Sequence, residues 1–228
     1  MAHSELVESL KGKLIVSVQA YPGEPMRHPE TMAQIARACE LGGAAAIRCQ
    51  GLSDISAIKG RVEIPVIGLW KEGHEGVYIT PTLRHARACI HAGAVVALDA
   101  TDRPRPDGRT FEETVAALRA ESDVLIMADC MTMDDIRRSV AAGCDLVSTT
   151  LSHNKAAIDT TLDDGPDIAL LKQATTEFPG IAIICEGHVH TPQDAKDALD
   201  AGAWAVVSGT AITHPTSITS WFAAALED

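Results

Sequence analysis

The stretch IAIICEGHVHTPQDAKDALDAGAWAVVSG (residues 181–209) contains a complete strand–helix–strand unit. Its two apolar runs, IAIIC (181–185) and WAVVS (204–208), are continuous rather than alternating, which is typical of parallel strands buried on both faces. Thr191 and Pro192 predict a helix start, because threonine caps a helix and proline suits its first position. Gly202 predicts the end of that helix, just before the next strand.

Six similar apolar runs precede this unit. They are LIVSV (14–18), AAIR (45–48), PVIGL (65–69), VVAL (95–98), VLIMA (124–128) and DLVST (145–149). Segments with helical periodicity separate them, and Thr80-Pro81 predicts another capped helix start. No G-x-G-x-x-G turn follows the first run, which argues against an open doubly wound sheet. We therefore expect a single-domain (β/α)₈ TIM barrel of the phosphate-binding type over residues 1–228.

The composition limits the possible partners. The formal net charge is −12 and no run of Lys or Arg is present, so neither nucleic acid nor an anionic membrane is expected as the main partner. No uninterrupted apolar stretch approaches the roughly 18 residues of a membrane span, and the polar N-terminus does not resemble a signal peptide. The six cysteines form no C-x-x-C pair, which favours reduced, buried thiols. A cytoplasmic protein is the expectation.

Polar residues follow almost every predicted strand, at the end where barrels of this kind place their active sites. They are Gln19, Arg48, Lys71, Asp99, Asp129, Thr149, Thr150, Glu186 and Ser208-Gly209-Thr210. Any one of them is ordinarily a solvated loop residue or a helix cap. The full set predicts a polar cavity, since charges buried at strand ends cost several kcal/mol unless they are paired.

The last two predicted loops are alike, and both carry a glycine followed by a histidine. Gly187 precedes His188, and Gly209-Thr210 leads to His214. Loops after strands seven and eight often bind phosphate through backbone N–H groups, and glycine lets the backbone approach the anion closely. We predict a phosphate site here. The histidines show no metal-ligand spacing, so no metal is expected.

The strand-end motifs resemble those of the N-acetylmannosamine-6-phosphate 2-epimerase family. They include LIVSVQA (14–20), AIR (46–48), PVIG (65–68) before Lys71, ITPT (79–82), ALDAT (97–101) with RPRPDG (103–108), MAD (127–129), TTLS (149–152), Glu186-Gly187 and GTAIT (209–213). They cover nearly the whole chain in family order. Where the family commonly has arginine, this chain has His188 and His214, and Lys71 is followed by EGHEG (72–76).

The resemblance implies C2 epimerisation of N-acetylmannosamine 6-phosphate to N-acetylglucosamine 6-phosphate in sialic acid catabolism, without a cofactor. It assigns proton transfer at C2 to Lys71 and an assisting acid/base role to Glu186. The sugar-binding candidates are Gln19, Arg48, Asp129 and Thr150; the phosphate-binding candidates are Gly187, His188, Gly209, Thr210 and His214.

Two other functions remain open from the residues alone: another phosphate-binding barrel isomerase, synthase or decarboxylase, and a non-catalytic sugar-phosphate sensor. Burial and Arg48 would lower the pKa of Lys71 while nearby carboxylates would raise it, and the sequence does not decide between them. Trp204, Trp221 and Phe222 offer apolar area for a homodimer. Residues 151–170 are expected to form a long mobile loop, and whether that loop closes over the substrate stays open.

Overall fold

The computed structural model describes residues 3–152 and 164–227, and eight parallel strands form a closed barrel in sequential order. The strands are β1 Leu14–Val18, β2 Ala46–Gln50, β3 Val66–Leu69, β4 Val95–Asp99, β5 Ile126–Asp129, β6 Leu146–Ser148, β7 Ile183–Glu186 and β8 Ala205–Ser208. The barrel closes where β1 pairs with β8, with Leu14 opposite Val206. The predicted (β/α)₈ barrel is confirmed.

Helices lie between consecutive strands, with one before β1 and two after β8. They are α1 His3–Ser9, α2 Pro29–Leu41, α3 Leu52–Lys59, α4 Leu83–His91, α5 Phe111–Glu121, α6 Met133–Ala141, α7 Ile168–Glu177, α8 Pro192–Asp200, α9 Thr210–Thr213 and α10 Pro215–Ala224. Of the expected loop 151–170, residues 153–163 lie outside the described residues, and α7 already begins at Ile168. None of the described helices is both long and apolar enough to cross a membrane.

One of the two predicted helix starts is correct and the other is wrong. Thr191 caps α8 and forms a reciprocal capping box with Asp194. Thr80 does not cap α4; Thr82 does. The Thr80 hydroxyl instead donates to the Ala97 carbonyl at 2.6 Å, and its φ of +47° turns the chain before the helix begins. A β-branched residue in this left-handed conformation is unusual and needs such anchoring.

The N-terminal segment covers the end of the barrel where the strands begin. Leu10 is fully buried, and the Trp204 indole donates to the Val7 carbonyl at 2.8 Å. The Lys11 ammonium lies 4.3 Å from the centroid of the Trp204 ring. Trp204 is therefore partly covered by its own chain.

Inward-facing positions recur every second residue along each strand. Near the middle of the barrel they are apolar: Ile15, Ala46, Ile67, Leu69, Ala97, Met127, Leu146, Ile184, Ala205 and Val207 form one buried cluster. Two residues further along several strands, the inward positions become polar. This change from an apolar to a polar layer places the functional residues at the carboxyl ends of the strands.

Candidate active site

The polar layer consists of residues that continue the inward-facing alternation. They are Ser17 and Gln19 from β1, Arg48 and Gln50 on β2, Lys71 beyond β3, Asp99 on β4, Asp129 on β5, Ser148 and Thr150 from β6, and Glu186 on β7. Arg48, Asp129 and Glu186 belong to the strands themselves rather than to the loops after them. Because neighbouring parallel strands are in register, their side chains meet in the barrel mouth.

Arg48 is the central cation of this layer. Only 2% of its side chain is exposed, and it donates one hydrogen bond to Glu186 Oε1 and another, of 2.5 Å, to Asp129 Oδ2. Charge-assisted bonds of this kind offset the desolvation of a buried guanidinium. Its Nε is buried with no hydrogen-bond partner among the residues that the structure describes. That N–H group suits an acceptor atom of a bound ligand, since Arg48 also lines the cavity.

The Thr150 hydroxyl joins the two carboxylates. Its oxygen lies 3.0 Å from Asp129 Oδ1, 3.0 Å from Glu186 Oε2 and 2.8 Å from the Ser148 hydroxyl. Ionised carboxylates only accept hydrogen bonds, and Thr150 has one proton to donate. A proton on one of the two carboxyl groups would make both contacts favourable, since that group then donates to Thr150 while Thr150 donates to the other.

Asp129 is the carboxyl group better suited to hold that proton. Burial, followed by the nearby Glu186 and Asp99, raises its pKa to about 7, although Arg48 and Thr150 act in the opposite direction. Its side chain is fully buried and lies below the cavity rather than in its wall. In this structure Asp129 contacts Arg48 and Thr150, and its role toward the sugar stays a prediction.

Lys71 faces the same cavity from just beyond β3. Desolvation is the main cause that lowers its pKa, and the Arg48 guanidinium adds to it; Glu186 and Asp129 oppose them. The result is a pKa of about 8, which resolves the balance that the sequence left open. The Lys71 ammonium lies 5.5 Å from the centroid of the Tyr21 ring. A lysine with this pKa is neutral often enough near neutral pH to accept a proton.

The cavity at the barrel mouth has a volume of about 770 Å³, which is ample for a hexosamine phosphate. Gln19, Arg48, Lys71, Thr150 and Glu186 line it, as do both glycine loops. Gln19 donates to the Ser17 hydroxyl at 2.8 Å, while its side-chain oxygen is buried with no partner among the described residues. That oxygen is a candidate acceptor for a sugar hydroxyl.

The two glycine loops form one side of the cavity. Gly187 has a φ of +105°, and a Cβ on Gly209 would lie 3.1 Å from the Ser17 Cβ. The positive φ at Gly187 and the close approach to Ser17 at Gly209 both favour glycine, while phosphate binding by these loops stays a prediction. Thr210 begins α9 and lines the cavity beside them. His188 also has a positive φ, +55°, and its ring lies 5.7 Å from that of His190.

His214 lines the cavity, with its Nδ1 hydrogen-bonded within the protein and its Nε2 close to a carboxylate but without a hydrogen-bond partner among the described residues. Its Nδ1 lies 2.6 Å from the Ser217 hydroxyl and its Nε2 lies 3.2 Å from Glu24 Oε1. The Tyr21 ring packs edge-on against it at 5.1 Å. The histidine therefore links the loop after β1 to α10. In this arrangement it does not present a fixed positive charge in the way an arginine would.

Sequence reasoning missed several residues of this wall. Tyr21, Arg27, Tyr78 and Arg103 line the cavity, and Ser148 contacts Thr150 beneath it. Arg103 donates to Asp99 Oδ2 at 2.6 Å, so Asp99 orients a cavity residue without reaching the cavity itself. Alternation along β6 would have found Ser148; nothing in the pattern points to the loop residues. Within residues 3–152 and 164–227, no three His, Cys, Asp or Glu side chains are grouped as metal ligands.

Comparison with known proteins identifies a family for this chain. Residues 32–228 match the family model described as "NanE: Putative N-acetylmannosamine-6-phosphate epimerase". A relative from Cutibacterium acnes with the corresponding 2-epimerase description is 56% identical over 97% of this chain and 96% of its own length. Another from Corynebacterium glutamicum strain R is 48% identical over 98% and 97%.

Solved structures also superpose on this chain. The N-acetylmannosamine-6-phosphate 2-epimerase from Clostridium perfringens superposes with a TM-score of 0.88 at 38% identity, over 97% of this chain and 96% of that one. A thiamine phosphate pyrophosphorylase from Pyrococcus furiosus has a TM-score of 0.60 at 14% identity, over 94% and 93%, and shares only the barrel fold. By sequence and by structure, the chain belongs to the N-acetylmannosamine-6-phosphate epimerase family.

Proposed function

We propose that the charged cluster in the barrel mouth carries out the isomerase reaction of this family, the epimerisation of N-acetylmannosamine 6-phosphate at C2 to give N-acetylglucosamine 6-phosphate. The observation that carries the assignment is the convergence of Lys71, Arg48 and Glu186 on one cavity, with the pKa of Lys71 lowered to about 8. A neutral lysine beside a buried guanidinium suits proton abstraction next to a carbonyl.

The C2 proton becomes acidic only after the sugar ring opens. Opening frees the C1 aldehyde, so that the C2 proton lies next to a carbonyl group. This step needs an acid/base group, and we assign it to Glu186, whose carboxylate reaches the cavity while Arg48, Ser148 and Thr150 hold it. The Thr150 contact connects Glu186 to a second carboxyl group that can hold a proton.

Lys71 then removes the proton from C2, and the negative charge moves onto the C1 oxygen. The buried Arg48 Nε–H is the candidate donor to that oxygen, because its other contacts are already taken by carboxylates. The Lys71 ammonium then gives a proton to the other face of C2 after the enolate has turned in the cavity, the C1 aldehyde is restored, and the ring closes with Glu186 as the acid/base group; no redox change takes place. This chemistry needs no electron sink beyond the substrate carbonyl.

Recognition of the phosphate is proposed for the backbone of the loops around Gly187 and Gly209, with Thr210 beside them. His188 and His214 stay candidates through their positions in the cavity wall. Since the His214 Nδ1 is engaged by Ser217 and its Nε2 lies beside the Glu24 carboxylate, which disfavours a second anion there, the proposal gives the main share of phosphate binding to backbone N–H groups.

A Lys71→Ala variant tests the proposal. We expect loss of C2 epimerisation and loss of deuterium incorporation at C2 in heavy water. Glu186→Gln should bind the substrate with nearly unchanged affinity and turn it over slowly. Retained deuterium exchange in Lys71→Ala would assign the base elsewhere, and turnover of a different sugar phosphate in preference to N-acetylmannosamine 6-phosphate would replace the proposed substrate.

Three further assignments accompany the function. The whole chain, residues 1–228, is proposed to be one catalytic domain, because closure of the barrel requires both β1 and β8. A cytoplasmic location is proposed because all six cysteines are free thiols. A homodimer is proposed through α10, where Phe222 is 73% exposed, and the turn after it, where Leu226 is 85% exposed; light scattering after size exclusion would test it.

A further inference from the structure

Lys71 lies in a short antiparallel ribbon that projects from the barrel mouth. Residues 70–72 pair with residues 78–80: the Thr80 N–H donates to the Trp70 carbonyl at 2.8 Å and the Glu72 N–H donates to the Tyr78 carbonyl at 3.0 Å. Lys71 and Ile79 are bridge partners between these bonds. The tip of the ribbon, residues 73–76, contains two glycines with positive φ angles. The base of the ribbon is held by backbone hydrogen bonds, whereas the glycines give its tip more backbone freedom.

Lys71 and Glu72 face opposite sides of this ribbon, because consecutive residues of an extended strand alternate. Lys71 lines the cavity. On the other side, Glu72 Oε2 lies 2.8 Å from His85 Nε2 and 3.7 Å from the Arg84 guanidinium, both in the first turn of α4. These contacts attach the side of the ribbon that faces away from the cavity to α4.

The surroundings of His85 favour a neutral imidazole in this contact. It is 1% exposed, its Nδ1 lies 2.6 Å from the Thr82 hydroxyl, and the Trp70 ring packs edge-on against it at 4.5 Å. A carboxylate only accepts, so the imidazole proton is on Nε2, and Nδ1 then accepts from Thr82. Burial lowers the pKa of His85, which agrees with this neutral tautomer.

We infer that Glu72 is a positioning residue: its hydrogen bond to His85 fixes the ribbon and so holds the Lys71 ammonium at the reacting carbon. The inference rests on the proposed role of Lys71 as the C2 base. Glu72 is 57% exposed, so removing its side chain opens no cavity. Loss of a partly exposed contact of this kind should leave global stability nearly unchanged, whereas a small displacement of a catalytic group has a large effect on rate.

The test compares Glu72→Ala with Glu75→Ala, which makes the same change three residues further along, at the ribbon tip. Glu75 is exposed and has no hydrogen bond or ion pair among the described residues. We expect Glu72→Ala to lower kcat and the C2 deuterium exchange rate together by about tenfold, with KM within about twofold and Tm within about 2 °C. Glu72→Gln, which keeps an acceptor oxygen for His85, should restore most of kcat, and Glu75→Ala should match the unmodified chain.

Equal kcat values for Glu72→Ala and Glu75→Ala would overturn the inference. So would a loss of activity in Glu72→Ala that follows a large fall in Tm and that Glu72→Gln does not reverse. The proposed function is tested separately by Lys71→Ala. If Lys71→Ala is inactive and Glu72→Ala is fully active, only the positioning role of Glu72 is rejected. If Lys71→Ala still exchanges deuterium at C2, the assignment of Lys71 as the base is rejected.

Discussion

The Arg48 guanidinium binds the Glu186 carboxylate inside the barrel mouth, and the same guanidinium binds a second buried carboxylate, that of Asp129. A single buried cation thus pairs with two carboxyl groups that lie in different environments. Glu186 reaches the cavity, whereas Asp129 lies beneath it. The arrangement keeps a proton-accepting group and a proton-holding group close together, with the Thr150 hydroxyl between them.

Removal of Arg48 should destabilise the protein in a pH-dependent way. In Arg48→Met, two carboxylates remain buried without their cation, so the free energy of unfolding should fall by about 3–5 kcal/mol near pH 8. Burial already raises the pKa of Asp129 in the folded protein, and loss of the Arg48 charge raises it further above its unfolded value. The folded variant then binds more protons than the unfolded chain, and its stability falls as pH rises.

Urea unfolding at pH 5.5 and pH 8 measures this effect. The difference between Arg48→Met and the unmodified chain should be smaller at pH 5.5, where the carboxyl groups take up protons. Arg61→Met is the matched control, because Arg61 pairs with Glu30 in an exposed contact of 2.7 Å and should contribute little to stability. A difference of the same size at both pH values would contradict the buried-pair interpretation.

The pH dependence of kcat/KM should report the neutral form of Lys71. With a pKa of about 8, roughly a tenth of the lysine is neutral at pH 7 and roughly nine-tenths at pH 9. The logarithm of kcat/KM should therefore rise with a slope near one up to about pH 8 and then level off. The measurement spans pH 7 to 9.5, above the titration of the substrate phosphate. A flat profile over this range would exclude a lysine base with the lowered pKa.

Loss of the Thr150 hydroxyl should interrupt proton sharing between the two carboxyl groups. Thr150→Val keeps the shape of the side chain and removes the hydroxyl group, so Asp129 and Glu186 both lose their hydrogen bond to it. We expect kcat to fall by about 10²-fold, in the range typical of a lost acid/base contact. Thr150→Ser keeps the hydroxyl and should stay within about tenfold of the unmodified chain, since only a methyl group is lost. Equal rates for the two variants would contradict a role for the hydroxyl.

The fold was predictable from the sequence because each strand–helix unit repeats the same local signals. The strand boundaries differ from the predicted ones by one or two residues, and those residues matter. Asp99, Asp129 and Glu186 end β4, β5 and β7 instead of following them. Propensity alone places a carboxylate outside a strand. In the barrel, Arg48 pairs with two of these carboxylates and Arg103 with the third, which makes their burial possible.

Part of the site was not predictable, for physical reasons. The Thr80 turn depends on the Ala97 carbonyl from a neighbouring strand, so no local pattern shows it. The engagement of His214 by Glu24 joins residues about 190 positions apart. The pKa of Lys71 was not predictable either, because it depends on burial and on three charges from three other strands. Sequence patterns report local preferences and periodicity, and these features arise from contacts distant in sequence.

Strain at Gly187 should affect substrate affinity more than overall stability. Its φ of +105° disfavours any residue with a Cβ, so Gly187→Ala should cost about 1–2 kcal/mol and be relieved by a shift of the loop. Gly143→Ala is the control, since Gly143 has a φ of +79° with open space around it and lies at the end of α6, away from the cavity.

We expect the two variants to lose similar amounts of stability in urea unfolding. Only Gly187→Ala should raise KM, by about tenfold, because the backbone N–H groups of its loop then no longer converge on the phosphate. The same comparison with N-acetylmannosamine, which lacks the phosphate, should show little difference between Gly187→Ala and the unmodified chain. An equal loss of affinity for both sugars would mean that this loop contacts the sugar ring and that the phosphate is bound elsewhere in the cavity.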